Sequence, residues 1–254
     1  MKIILSPAKK MNRDLDTLDY VDLPLHLEQT REILYWMQSK SREELQKLWV
    51  CNDKIACQNF ERLKHMELER QLTPAILSYE GIAYQYMAPA VFEEEQLAYV
   101  QEHLRILSAF YGVLKPMDGV TPYRLEMQAK ASICEHENLY DLWGSRIYDS
   151  VKDEDGLIIN LASKEYSKCV EKYLTAGDTY ITVTFCEASG NKLVTKGTYA
   201  KMARGEMVRY MAEKQIKDPC EIKHFDRLGY RYREDLSTDL EYVFERVGDH
   251  DTEF

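Results

Sequence analysis

The sequence predicts one mixed α/β domain. Short apolar or β-branched segments at 2–6, 157–161, 180–186 and 240–247 read as strands, and much of the chain between them repeats apolar residues at helical spacing. The two kinds interleave without a regular βαβ period. No repeat, low-complexity tract or linker divides the 254 residues. With 45 % hydrophobic residues and 18 tyrosines, the chain can bury a substantial core, which excludes a disordered protein.

Residues 2–6 (KIILS) form a short buried strand that ends at Ser6-Pro7, because proline cannot continue a central strand. Leu25, Leu27, Ile33, Leu34 and Met37 mark a helix over 25–38. Ser41 and Glu44 have capping-box spacing and open another helix, which carries Leu45, Leu48 and Trp49. After a break at Cys51-Asn52-Asp53, with Asn52 or Asp53 as cap, Ala56, Phe60 and Leu63 make an i, i+4, i+7 stripe. Thr73-Pro74 reads as a helix start with proline at the first helical position. Glu93 to Leu107 reads as a helix whose acidic first turn suits the helix dipole, followed over 107–127 by a strand-like run and then Gly, Pro and Asp turn residues. Trp143-Gly144 marks an aromatic packing cluster, Tyr199 to Lys217 a helix, and 240–247 the last strand.

The N-terminal apolar run spans only Ile3 to Leu5, and nothing approaches the ~20 apolar residues of a membrane helix, so a cytoplasmic chain with no membrane partner is expected. The six cysteines are scattered without a C-x-x-C pair and read as free thiols. The six histidines are equally dispersed, and Cys134 and His136 lack the partners of a metal site. No phosphate-loop, dinucleotide, nucleophile-elbow or zinc-protease motif occurs, so no metal and no cofactor is expected.

The formal net charge is −10, yet residues 234–254 hold eight acids against Arg246 alone and account for most of it. Residues 1–13 carry Lys2, Lys9, Lys10 and Arg13 with no acid, and 192–217 carry seven bases against two acids. On the helix over 199–217, Ala200, Ala203, Met207, Tyr210 and Met211 share the predicted core face, and Lys201, Arg204 and Arg209 fall opposite. Gly205, in mid-helix, costs about 1 kcal/mol against alanine, which points to a close backbone approach by a ligand or by another helix.

Ser6 and Lys9 follow the first strand, where loop-borne function is common. Asn160, Ser163 and Lys164 follow the LIINL strand, where a helix start can bind an anion or Ser163 can simply cap the helix. Arg124 can clamp a phosphate or pair structurally with Glu126 or Asp118. The helix–break–helix over 42–65 can offer backbone N–H groups to a DNA phosphate or be an ordinary helical hairpin, and it lacks the glycines of a strong DNA-binding turn.

KIILSPAK, LRILSAFYGVLKPMDGVTPYRLEM, NLYDLWG, IINLASKEYSK and YAKMARGEMVRY, in that order, resemble the YaaA family of bacterial peroxide-stress proteins. The resemblance implies a single α+β domain, a mixed β-sheet surrounded by helices, with an embedded helix-hairpin-helix element and a positively charged cleft. It implies a protein that limits hydrogen peroxide damage by keeping free iron low and by associating with DNA. Carried over to this chain, the family pattern marks Ser6, Lys9, Arg105, Arg124, Glu126, Asn160, Ser163, Glu165, Lys201, Arg204 and Arg209. The hairpin corresponds to Glu43–Met66, with Asn52, Asp53, Lys54, Asn59 and Arg62 aligned and Cys57 where the family often has a small residue. The acidic 234–254 segment extends beyond that pattern and reads as a tail.

Two expectations follow. The first is a non-enzymatic protein that grips DNA phosphates without reading bases, through Asn52, Lys54, Asn59, Arg62, Lys9, Lys10, Arg124, Lys201, Arg204 and Arg209. The second is an enzyme or binder for a small anion such as a nucleotide, with Ser6, Lys9, Glu126, Asn160, Ser163 and Lys201 at its pocket. A thiol-based peroxide sensor is a third option without an activated thiolate context.

Overall fold

A computed structural model describes residues 1–190 and 192–247. Strand β1 (Lys2–Leu5) opens the chain, its Ile3, Ile4 and Leu5 buried because neighbours cover both faces. A two-residue strand β2 (Lys10–Met11) and helices α1 (Leu27–Gln38), α2 (Arg42–Trp49) and α3 (Asp53–Lys64) follow. The expected capping box is present, with the Ser41 N–H donating to Glu44 Oε2 at 2.8 Å and the Glu44 N–H to Ser41 Oγ at 3.2 Å. Asn52 caps α3 by accepting the Ile55 N–H at 3.0 Å.

Next come β3 (Thr73–Pro74), α4 (Ala75–Ser78), β4 (Tyr79–Glu80), α5 (Ile82–Met87) and α6 (Glu94–His103). The helix expected to begin at Pro74 begins one residue later: Pro74 pairs with Gly119 as part of β3 and caps the one-turn α4 that follows it. Strand β5 (Leu104–Ser108) occupies the end of the segment read as helical to Leu107. All five of its residues are buried, so the run carries no alternation to separate strand from helix. The chain continues through β6 (Gly112–Leu114), β7 (Gly119–Val120), α7 (Leu139–Trp143), α8 (Arg146–Val151), β8 (Leu157–Asn160) and α9 (Lys164–Glu171). It ends with β9 (Thr179–Ser189), β10 (Lys192–Val194), α10 (Gly197–Lys214), β11 (Tyr230–Tyr232) and β12 (Glu241–Arg246).

The main sheet runs β11-β12-β9-β8-β1-β5-β6, with β10 paired to β9. The five strands from β12 to β5 are mutually parallel, and β11 and β6 close the two sides antiparallel. Ile3 lies opposite both Leu104 and Ile159, which fixes the register at the centre. The chain leaves β1 toward β5 on one side and leaves β8 toward β9 on the other. Connections that part in this way open a crevice beyond the carboxyl ends of the two strands.

The acidic 234–254 segment is not a free tail throughout. Tyr242, Val243 and Phe244 of β12 are buried beside β9, so most of the described acids there belong to a sheet strand and its approach. Residues 248–254 lie outside the described residues.

Helix α10 buries Ala200, Ala203, Met207, Tyr210 and Met211 as its spacing predicts. The close approach at Gly205 is made by α5: an added Cβ would stand 2.7 Å from the Ala83 carbonyl carbon and 2.9 Å from its Cα. Gly81, just before α5, meets the Cβ of Ala8 in the same way at 2.7 Å. Two glycines thus let α5 sit tightly between α10 and the loop that follows β1.

Candidate functional site

The crevice between β1 and β8 gathers three of the predicted residues. Ser6 Oγ accepts the backbone N–H of Ser163 at 2.8 Å, and the two hydroxyls lie 3.1 Å apart. Ser163 occupies the N-cap position of α9 with extended backbone, but no side-chain cap bond forms. Its hydroxyl is engaged across 157 residues of sequence by Ser6 instead, which replaces the capping role. Asn160 is buried, and its Oδ1 accepts the Ala162 N–H at 2.9 Å, setting the turn between β8 and α9. The Ser6 carbonyl accepts the hydroxyl of Tyr84 at 3.0 Å.

Charged groups collect beside this turn. Lys9 Nζ stands 2.8 Å from Glu126 Oε2, and Arg124 Nη2 lies 3.8 Å from Glu126 Oε1. Arg124 Nη2 also reaches the carbonyl of Trp49 at 3.5 Å, while its buried Nε has no partner among the described residues. The structural-pair alternative for Arg124 is therefore the one the geometry adopts. Glu165 accepts the Gln128 N–H at 3.3 Å, and its carboxyl is pushed up by burial and by the neighbouring Glu126 charge, against the pull of Lys9. The outer side of Glu126 opens on a cavity of about 570 Å³ shared with Trp36, Lys40, Lys47 and Lys130.

A hydrogen-bonded set of hydroxyls lies buried nearby. Tyr123 OH bonds Ser108 Oγ at 2.7 Å and Tyr79 OH at 2.9 Å, and burial holds the Tyr123 phenol up at about 12. These phenols stay protonated at physiological pH and act as neutral hydrogen-bonding groups. The sequence offered no signal for the set, because Tyr79 comes from a segment separate from the 104–127 stretch that holds Ser108 and Tyr123, and nothing local shows that the three hydroxyls meet.

The remaining predicted residues disperse. Lys201 is exposed on α10, and no hydrogen bond or ion pair among the described residues joins it to the crevice. Arg204 is not on a solvated face: it is largely buried, its Nε has no partner among the described residues, and burial disfavours its charged form with no described carboxylate beside it. Arg209 is bound to Glu213 at 2.7 Å, within a pair network that includes Arg227. Arg105 donates to the carbonyls of Gln101 and Leu104 and feels Asp153, which holds the N-terminal amine at the opposite end of the sheet.

The hairpin residues divide by exposure. Asn52 and Lys54 are exposed at the start of α3. Asp53 lies 3.5 Å from Arg42. Asn59 is turned inward and donates to the carbonyl of Ile55 at 2.8 Å, so it holds its own helix together. Val50 makes the turn between α2 and α3 with φ +44°, the left-handed conformation that glycine usually supplies. Lys10 is paired with Glu80. Arg62 is half-buried and lines a second cavity with Arg13, His65 and Arg70.

The match to known proteins covers nearly the whole chain. The family model described as peroxide stress protein YaaA matches residues 1–236. A UPF0246 protein of Agathobacter rectalis is 68 % identical over 246 residues, 97 % of this chain and 99 % of that protein. UPF0246 proteins of Lachnoclostridium phytofermentans and Desulfitobacterium hafniense are 54 % and 55 % identical, each over 96 % of this chain and 96–97 % of their own length. On this coverage and identity, the chain belongs to the peroxide stress protein YaaA family.

Proposed function

We propose that this chain acts in the hydrogen peroxide response in the cytoplasm by binding DNA through its phosphates, without base specificity, and so limits iron-mediated damage there. The observation that carries this reading is the exposed start of α3. Asn52 closes the helix end, and Lys54 stands beside it with no acidic partner among the described residues. A helix N-terminus flanked by a free cation suits a backbone phosphate. Of the eight nominated bases, Lys9, Lys10, Arg124 and Arg209 face carboxylates; among the described residues Lys54, Arg62, Lys201 and Arg204 face none, but Arg204 is largely buried, which leaves three cations to meet phosphate. Three such contacts correspond to a slope of roughly −3 in log affinity against log salt.

The test is a fluorescence-anisotropy titration with two duplexes of unrelated sequence over a range of salt. Equal affinity for both, a slope of that size, and weakening by Lys54→Glu combined with Lys201→Glu are the expected results. Affinity that ignores salt, or that survives both substitutions, removes the reading.

The convergence of Ser6, Asn160 and Ser163 at the parting of the strand connections favours a second reading, a small anionic ligand held in the crevice beside Lys9 and Glu126. A thermal shift with a nucleotide panel that Ser163→Ala abolishes supports it; no shift with any member rejects it.

A further inference from the structure

The cavity beneath the far end of α3 shares Arg62 with the DNA reading and combines it with groups that neither reading above uses. It holds about 600 Å³, within the size range of small-ligand sites, and Arg13, Arg62, His65 and Arg70 line it with Glu61 and Glu67. Among the described residues, neither Arg62 nor Arg70 makes an ion pair, and Arg13 bonds only the neutral Gln71 Oε1 at 3.3 Å. The acids are partly committed elsewhere: Glu61 to Lys64 at 2.9 Å, and the nearby Glu80 to Lys10. Burial and the neighbouring Arg13 charge disfavour the charged form of Arg62, against the pull of Glu80.

The segments that carry these arginines are held in place. The Asp14 N–H donates to Thr73 Oγ1 at 2.9 Å, tying the Arg13 stretch to the segment after Gln71. Gln71 itself has φ +51°, a left-handed conformation unusual for a glutamine, at the turn that follows Arg70. Three guanidinium groups gathered around an open polar cavity, against the two carboxylates of Glu61 and Glu67, form a receptor for a compact polyanion. The described lining offers a base only the His65 ring to stack on, against three guanidinium groups, so the selectivity is for phosphoryl oxygens.

We propose that this basin binds adjacent phosphoryl groups, with Arg13, Arg62 and Arg70 as the ligating cations. The site stands apart from the α3 N-terminus, shares only Arg62 with the DNA reading, and rests on Arg13 and Arg70, which that reading does not use. Its ligand chemistry has two sources, a free polyphosphate or neighbouring phosphates of a nucleic-acid backbone.

Isothermal titration of the full chain with inorganic pyrophosphate tests the site. Binding should weaken about tenfold in each of Arg13→Ala and Arg70→Ala, the loss of one charge-assisted contact. Both positions are exposed, so the fold is not at stake, and Arg62→Lys adds a milder probe of the half-buried member. Lys54→Glu, at the other end of α3, should leave pyrophosphate binding unchanged, so that failure of the DNA reading and failure of this one are separable. A competing duplex identifies the source: displacement of pyrophosphate assigns the basin to backbone phosphates, and continued binding assigns it to a free polyphosphate. Absence of pyrophosphate binding in the unmodified chain, or binding as tight in both arginine variants as in the unmodified chain, overturns the proposal.

Discussion

Replacing Gly205 with alanine sets two effects of opposite sign against each other in one residue. Helix propensity alone favours alanine in mid-helix by about 1 kcal/mol. Packing opposes it. The new methyl would sit 2.7 Å from the Ala83 carbonyl carbon and 2.9 Å from its Cα, and nearer still to the carbonyl oxygen. Carbon atoms attract best at ~3.5–4.0 Å, so α5 and α10 must part by about 1 Å to admit it. The obstacle is backbone, which cannot rotate aside as a side chain can. The joint also contains Ala200, Ala203, Met207 and Met211, all buried, so separation loosens several contacts together. Overpacking of this kind costs ~1–3 kcal/mol, and a backbone clash belongs at the upper end. The net expectation is a loss of about 2 kcal/mol. Urea unfolding followed by circular dichroism should show a lower midpoint with an unchanged m-value. A Gly205→Ala protein as stable as the unmodified chain, or more stable, would falsify the close-packing account.

Two further outcomes follow from local conformation and burial. Val50 is exposed and left-handed, so Val50→Gly relieves backbone strain without removing packing; the gain is about 0.5–1 kcal/mol after the flexibility of glycine is counted, and a lowered thermal midpoint contradicts it. Burial pushes the Asp118 carboxyl up to about 7, against the Lys115 N–H bond and the Arg105 charge that favour ionisation. The folded chain therefore keeps a proton that the unfolded chain releases at an ordinary carboxylate value. The stability this proton contributes is present in acid and declines as pH rises toward 7. Asp118→Asn should accordingly lose less stability than the unmodified chain between about pH 4 and 7, and parallel urea midpoints across that range rule the burial argument out.

Local chemistry made much of this fold legible. The β-branched runs at Leu157–Asn160, Thr179–Ser189 and Glu241–Arg246 are strands, and the caps at Ser41 and Asn52 form where spacing placed them. Failures came where the deciding partner is distant in sequence. Leu104–Ser108 is a strand because β1 and β6 pair with it on either side, which its own apolar run cannot reveal. Ser163 forgoes its helix cap because Ser6 arrives from the start of the chain. The grouping of Arg13 with Arg70 had no local signal, since a polar loop looks alike whether its arginines converge or disperse.

Charge shows the same limit most clearly. The basic segments 1–13 and 192–217 read as electropositive because their own acids are few. In the fold, Lys2 faces Asp153, Lys9 faces Glu126, Lys10 faces Glu80 and Lys196 faces Glu187. Three of these four acids stand at least 70 residues from their lysines, beyond any local count. A phosphate approaching Lys9 must therefore displace a carboxylate 2.8 Å away rather than a loosely held counterion. Such an exchange releases little salt, so it adds little to the salt dependence of binding even when the contact forms. A DNA-binding surface on this chain depends on the few cations left without acids, and the slope measured in solution counts those.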